Sequence, residues 1–184
     1  MRALSKANVA YERIDRGWAP GVAYPIRLAG KVGGIAVRGG RRNKRTNYLD
    51  CRLARALAAW APTLREAGIV AIEHYSMYRK GARVAGSTKR SGHAVGMAID
   101  AGRFELADGS VIDVLHDWTD RKRGADPCKK RLRQPRPAKL MRSVVCRAAE
   151  LNLFQTIVTP HHNEAHRNHV HLEVAGAGAP QWIR

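Results

Sequence analysis

Five of the chain's eight histidines fall between His161 and His171, in the run HHNEAHRNHVH. Its continuation, His169-Val170-His171-Leu172-Glu173-Val174, alternates ring or charge with apolar side chains, which is the period of a strand. His169 and His171 therefore point to one face, and Val170 and Leu172 to the other. Two imidazoles on one face, with His166 just upstream, predict a metal or proton-transfer site. The plainer reading is a solvated polar loop, but burial of Val170 and Leu172 would hold the two rings against a scaffold.

One strand offers too few ligands for a metal. A second stretch, Ser91-Gly-His-Ala-Val-Gly-Met-Ala-Ile-Asp100, adds His93 and Asp100, seven residues apart. Gly92 and Gly96 argue against one continuous helix there. Met97 to Asp100 reads as the start of a buried strand, with His93 on the loop before it. His93, Asp100 and one histidine of the later pair would supply three protein ligands. The fourth position would be left for water, as in a catalytic zinc site, so Zn2+ is the expected cofactor.

The order Ser91-x-His93-x6-Asp100, then His169-x-His171, resembles the metal signature of the LAS peptidases (lysostaphin-like, D-Ala-D-Ala carboxypeptidase and hedgehog-related proteins). Within that group the chain is most similar to the extensin-like C-terminal domain family of bacteria. The residues that carry this are His93, Asp100, Phe104-Glu-Leu-Ala-Asp108-Gly109, Trp118, Pro160, Asn163, His166-Arg167, His169 and His171. Upstream, Tyr75-Ser-Met-Tyr-Arg79 resembles the strand end of D,D-carboxypeptidases. The resemblance spans roughly Asp50 to Val174.

It implies an α+β fold, with a small antiparallel sheet carrying the zinc and flanked by two main helices. It also implies a zinc-dependent hydrolase that cleaves amide bonds in peptidoglycan peptides, as a D,D-carboxypeptidase or endopeptidase, in the periplasm or outside the cell. His93, Asp100 and His171 become the metal ligands and His169 the proton carrier. Arg79 is expected to steady an oxyanion or a substrate carboxylate. His166 and Tyr78 take supporting or substrate-binding places, and Ser91 either bonds substrate or caps a turn. Two positions depart from the pattern. Gly92 stands where relatives carry Glu. Asn168 stands where the family carries Asp and carboxypeptidases carry their catalytic Glu. An amide does not titrate, so proton transfer falls to His169, with Glu173 on the same strand face. The departures also favour an alternative: a non-catalytic, metal-containing module that binds cell wall or another anionic polymer.

The remaining sequence bounds these readings. At 184 residues and 45% apolar, the chain suits one domain with a sizeable core. No apolar run approaches the ~18 residues of a membrane span, and the N-terminus has no stretch suited to a signal peptide, so export would require one from outside this sequence. The net charge of +18 comes from 33 Lys and Arg against 15 Asp and Glu. Its clusters are Arg38 to Arg45, Arg79 to Arg90 and Arg121 to Arg136. Aromatics make up 6% and none interleaves with these runs, which argues against nucleic acid; an anionic wall polymer suits the charge better. The three cysteines form no CxxC pair, and their odd number leaves at least one thiol free in a monomer. A Cys128–Cys146 bridge would close the basic loop between them.

Residues 1–45 read as an irregular basic N-terminal arm with one or two short strands, 46–175 as the peptidase-like domain and 176–184 as a loose tail. Leu49, Leu53, Leu57, Trp60 and Leu64 predict a helix from Asn47 to Ala67, capped by Asn47, ended by Gly68 and disturbed at Pro62. Strands are expected at 69–76, at Ala98-Ile99, at 111–115 after an Asp108-Gly109 turn, at 154–158 and at 169–174. A second helix is expected over 139–151.

Overall fold

Strand patterning dominates the chain. In the computed structural model, which describes residues 2–39, 47–119, 121–129, 133–175 and 180–184, ten strands join in one sheet within a mixed α+β fold. They are β1 (Val9–Arg13), β2 (Pro25–Val32), β3 (Ile35–Gly39), β4 (Tyr48–Asp50), β5 (Ile69–His74), β6 (Ala98–Leu106), β7 (Val111–Asp113), β8 (Thr156–Val158), β9 (Val170–Glu173) and β10 (Trp182–Ile183). The order across the sheet is β1-β2-β3-β5-β6-β9-β8-β10, with β4 paired to β2 and β7 to β6. The β3–β5 and β8–β10 pairs are parallel and the rest antiparallel.

The sheet is therefore larger than the small antiparallel one expected, and the chain termini explain why. Residues 9–39 are not an irregular arm. They alternate well enough to bury Ile26, Leu28, Val32, Ile35 and Val37 in the main core, and that burial draws β1 to β3 into the sheet. The basic run expected to 45 falls largely at 40–46, outside the described residues. The end of the tail is likewise a strand: Trp182 and Ile183 pair with Thr156 and Ile157.

Among the described residues four α-helices accompany the sheet: α1 (Arg2–Lys6), α2 (Cys51–Glu66), α3 (Val114–Asp117) and α4 (Arg136–Glu150). In α2, Leu53, Leu57, Trp60 and Leu64 make the predicted apolar side and are buried. Its cap is Asp50 rather than Asn47. The chain stays extended through Tyr48–Asp50 because it pairs with β2, and the Asp50 carboxylate then accepts from Arg52 N at 3.0 Å. Pro62 does not split α2; burial of Trp60, Ala61 and Leu64 around it offsets a penalty of about 3 kcal/mol. Gly68 follows with φ +76°, the left-handed conformation that ends a helix. α4 buries Met141, Val144, Val145 and Ala148. The two long helices touch each other. Trp60 Nε1 donates to the Val144 carbonyl at 2.9 Å, and the indole meets Phe104 and Phe154 edge-on. A Cys128–Cys146 disulfide ties the basic loop to α4, and Cys51 is a free thiol. No helix among the described residues is long and apolar enough to cross a membrane.

Candidate metal centre

Pleating sorts the side chains of β6 and β9 between two faces. Ile99, Ala101, Val170 and Leu172 belong to the core, so Asp100 and His171 take the opposite face. The antiparallel register pairs Asp100 directly with His171, which places the two side chains side by side. His93 arrives from a 3-10 turn, Gly92–Val95, immediately before β6. Ser91 caps that turn, its hydroxyl accepting from His93 N at 3.3 Å. Gly96 closes the turn at φ +66°, and a Cβ there would lie 2.9 Å from Asp50 N. Both the backbone and the space demand glycine, and the Gly96 carbonyl accepts from Asp50 N at 2.8 Å. The turn is thus pinned against the start of α2.

The three predicted ligands converge and are buried. His93 Nε2 lies 3.0 Å from Asp100 Oδ1 and 3.2 Å from His171 Nδ1, and His171 Nδ1 lies 3.0 Å from Asp100 Oδ1. Each ligand is held from behind. His93 Nδ1 donates to the Met77 carbonyl at 3.1 Å. Ser76 Oγ donates to Asp100 Oδ2 at 3.0 Å, and His171 Nε2 donates to Glu173 Oε2 at 3.1 Å. These outer bonds fix the tautomers, so the inner atoms are two imidazole lone pairs and a carboxylate oxygen, all acceptors. Three acceptors facing one another at 3.0–3.2 Å repel unless a cation or a proton sits among them. That spacing is close to the ~3.3 Å edge of a tetrahedron whose ligand bonds are about 2.0–2.1 Å. The residues therefore fit a metal ion.

The electrostatics agree with the donor set. Burial raises Asp100, but the His171 and His93 rings outweigh it and hold the carboxyl well below the usual range. Burial opposes a charged His171, yet the Asp100 and Glu173 carboxylates prevail and raise the ring to about 9. A metal would compete with that proton.

The other predicted residues divide. His169 lies on the rim, with Nε2 3.4 Å from Asp100 Oδ1 and Nδ1 donating to Asn168 Oδ1 at 2.8 Å. Burial lowers its pKa; Asp100 opposes this, and His171, His93 and Arg79 add to it. His166 lies beside it, ring centroids 5.1 Å apart, and is anchored through Nδ1 to Asn163 Oδ1 at 2.6 Å. Burial takes His166 down to about 4, with His169 and His171 acting in the same direction. Arg79 is exposed and close enough to bear on His169, and its guanidinium makes no hydrogen bond with the described residues. Tyr78 is buried beside the site's flank. Its ring packs with Ala19, Val22 and Tyr48, and its hydroxyl donates to the Pro20 carbonyl at 2.9 Å.

Sequence reading missed three contributors. Ser76 reaches Asp100 only through the β5–β6 register, and Met77 contributes a carbonyl that every residue type shares. Tyr75, quoted only as part of a motif, stands edge-on to His169 at 6.0 Å, over Gly102, where a Cβ would meet its ring at 2.7 Å. All three fall in the Tyr75-Ser-Met-Tyr-Arg79 motif, which marks the stretch but not these contacts.

A sheet that brings a His–Asp–His group to one face, with further histidines on its rim, defines an α+β protein with a candidate metal centre. The family model described as extensin-like protein C-terminus matches residues 2–182, and the chain belongs to that family. No curated protein matches it.

Proposed function

We propose that the protein is a zinc-dependent hydrolase of the LAS type that cleaves amide bonds in peptidoglycan peptides, as a D,D-carboxypeptidase or endopeptidase. The observation that carries this reading is the set of three facing acceptor atoms with a third ring nitrogen, His169 Nε2, beside them. Zinc, when bound by His93, Asp100 and His171, would polarise the substrate carbonyl and activate water.

The chain's own residues supply the rest. His169 Nε2 takes the proton of the attacking water and returns it to the leaving amine. Asn168 holds the tautomer that leaves Nε2 free for this. Arg79, exposed and uncommitted to any described hydrogen bond, meets the developing oxyanion or the carboxylate of a stem peptide. The surplus of basic residues suits an anionic wall polymer. The Cys128–Cys146 disulfide suits an oxidising compartment, either periplasmic or extracellular.

A second reading is a non-catalytic, metal-containing module that binds wall. It is favoured by Asn168, whose amide is spent on His169 where carboxypeptidases place a carboxylate. Metal analysis of untagged protein, followed by digestion of purified peptidoglycan with mass analysis of the products, separates the two. Released D-alanine or cut cross-links supports the hydrolase. Zinc with binding but no product supports the module.

A further inference from the structure

Gly92 and Glu173 occupy one volume. A Cβ built on Gly92 would lie 2.4 Å from Glu173 Cδ, 2.5 Å from Oε2 and 2.7 Å from Cγ. Gly92 is not among the residues with positive φ, so its backbone would accept any side chain. A side chain there would have to displace the Glu173 carboxylate. Gly96 differs, since its conformation alone already demands glycine.

We propose that Glu173 is the positioning carboxylate of the metal centre, and that residue 92 is glycine to make room for it. This rests on the metal reading of the site. Glu173 follows His171 by two residues on β9, so both side chains share a face, and Oε2 accepts from His171 Nε2 at 3.1 Å. The same carboxylate abuts the 3-10 turn that carries His93. One side chain thus wedges between the elements that deliver two of the three ligands. It fixes the His171 ring with Nδ1 facing inward and makes that nitrogen a stronger donor to an ion. The Met77 carbonyl and Ser76 hydroxyl behind the other two ligands are neutral. Glu173 adds the second negative charge that, with Asp100, balances a divalent ion.

Competition against a chelator measures Zn2+ affinity in the wild type, Glu173→Ala, Glu173→Gln, Gly92→Ala and the double variant Gly92→Ala/Glu173→Ala. Glu173→Ala should weaken Zn2+ roughly 10- to 100-fold, and Glu173→Gln, which keeps shape and acceptor, should recover part of the loss. Gly92→Ala should weaken Zn2+ when Glu173 is present and change nothing further when it is not. The Co2+-substituted proteins should show the same order in their visible spectra. Unchanged affinity in Glu173→Ala overturns the proposal. So does a Gly92→Ala cost that is equal in both backgrounds, because the glycine would then serve the turn alone. A wild type that takes up no Zn2+ would sink the metal reading instead. The metal-free protein then decides: His171 ring 15N resonances that shift in Glu173→Ala support the positioning role, and unmoved resonances overturn it.

Discussion

Asn168 sets the tautomer of His169. Its side-chain carbonyl accepts from His169 Nδ1 at 2.8 Å, which leaves the Nε2 lone pair facing Asp100 Oδ1 at 3.4 Å. An amide cannot take up a proton, but it can hold the ring that does. Burial lowers the pKa of this ring, so near neutral pH it is ready to accept a proton.

The first prediction follows from that pair. His169→Ala should keep zinc, because His171 still binds, and lose roughly 100-fold or more in peptidoglycan hydrolysis. Asn168→Asp should hold or raise activity. The assay is product release at matched zinc content. Full activity in His169→Ala would remove the ring from the chemistry, whereas hydrolysis gained only in Asn168→Asp would favour the binding module.

Metal content tests the ligand set. Untagged protein should carry about one zinc per chain, set by the single His93–Asp100–His171 group among the described residues. His93→Ala and Asp100→Ala should each lose it, because two remaining ligands make a weak site. Atomic absorption on dialysed protein gives the answer, and full retention in both variants would refute the assignment.

The basic run near the N-terminus should serve binding rather than chemistry. Arg41, Arg42, Lys44 and Arg45 lie outside the described residues and outside the motif stretches. Neutralising all four should weaken co-sedimentation with an anionic wall polymer in a salt-dependent way and leave turnover of a small soluble muropeptide near wild type. Collapse of small-substrate turnover in a folded variant would place the run in the active site.

His74 should make stability fall in mild acid. The ring is buried, with Nε2 bonded to Asn47 Oδ1 at 3.2 Å and Nδ1 without a hydrogen-bond partner among the described residues, and burial takes its pKa down to about 4. The unfolded chain binds the proton near pH 6.5, so stability is full above that pH and is lost as pH falls toward 4. Between about pH 7 and about pH 5 this amounts to a loss on the order of 2 kcal/mol. Urea unfolding of metal-free wild type and His74→Leu measures it. The variant should lack this part of the slope, and identical slopes would show that the ring titrates normally.

Much of the site was legible because it depends on local period. Alternation at Val170 to Glu173 put His171 and Glu173 on the polar face, and the His93 and Asp100 spacing marked the other two candidate ligands. The apolar side of α2 and the Gly68 stop were equally local, since a helix repeats within a few residues. Cross-strand register lies beyond local reach. It pairs Asp100 with His171, brings Ser76 to Asp100 and lets Glu173 fill the space above Gly92. It also draws β1 to β3 and β10 into the sheet, although their short strands looked like an arm and a tail. Sequence period fixes which face a side chain takes, because it is written into the backbone geometry of one segment. Which strand lies opposite is a property of the whole core, and only the folded chain decides it.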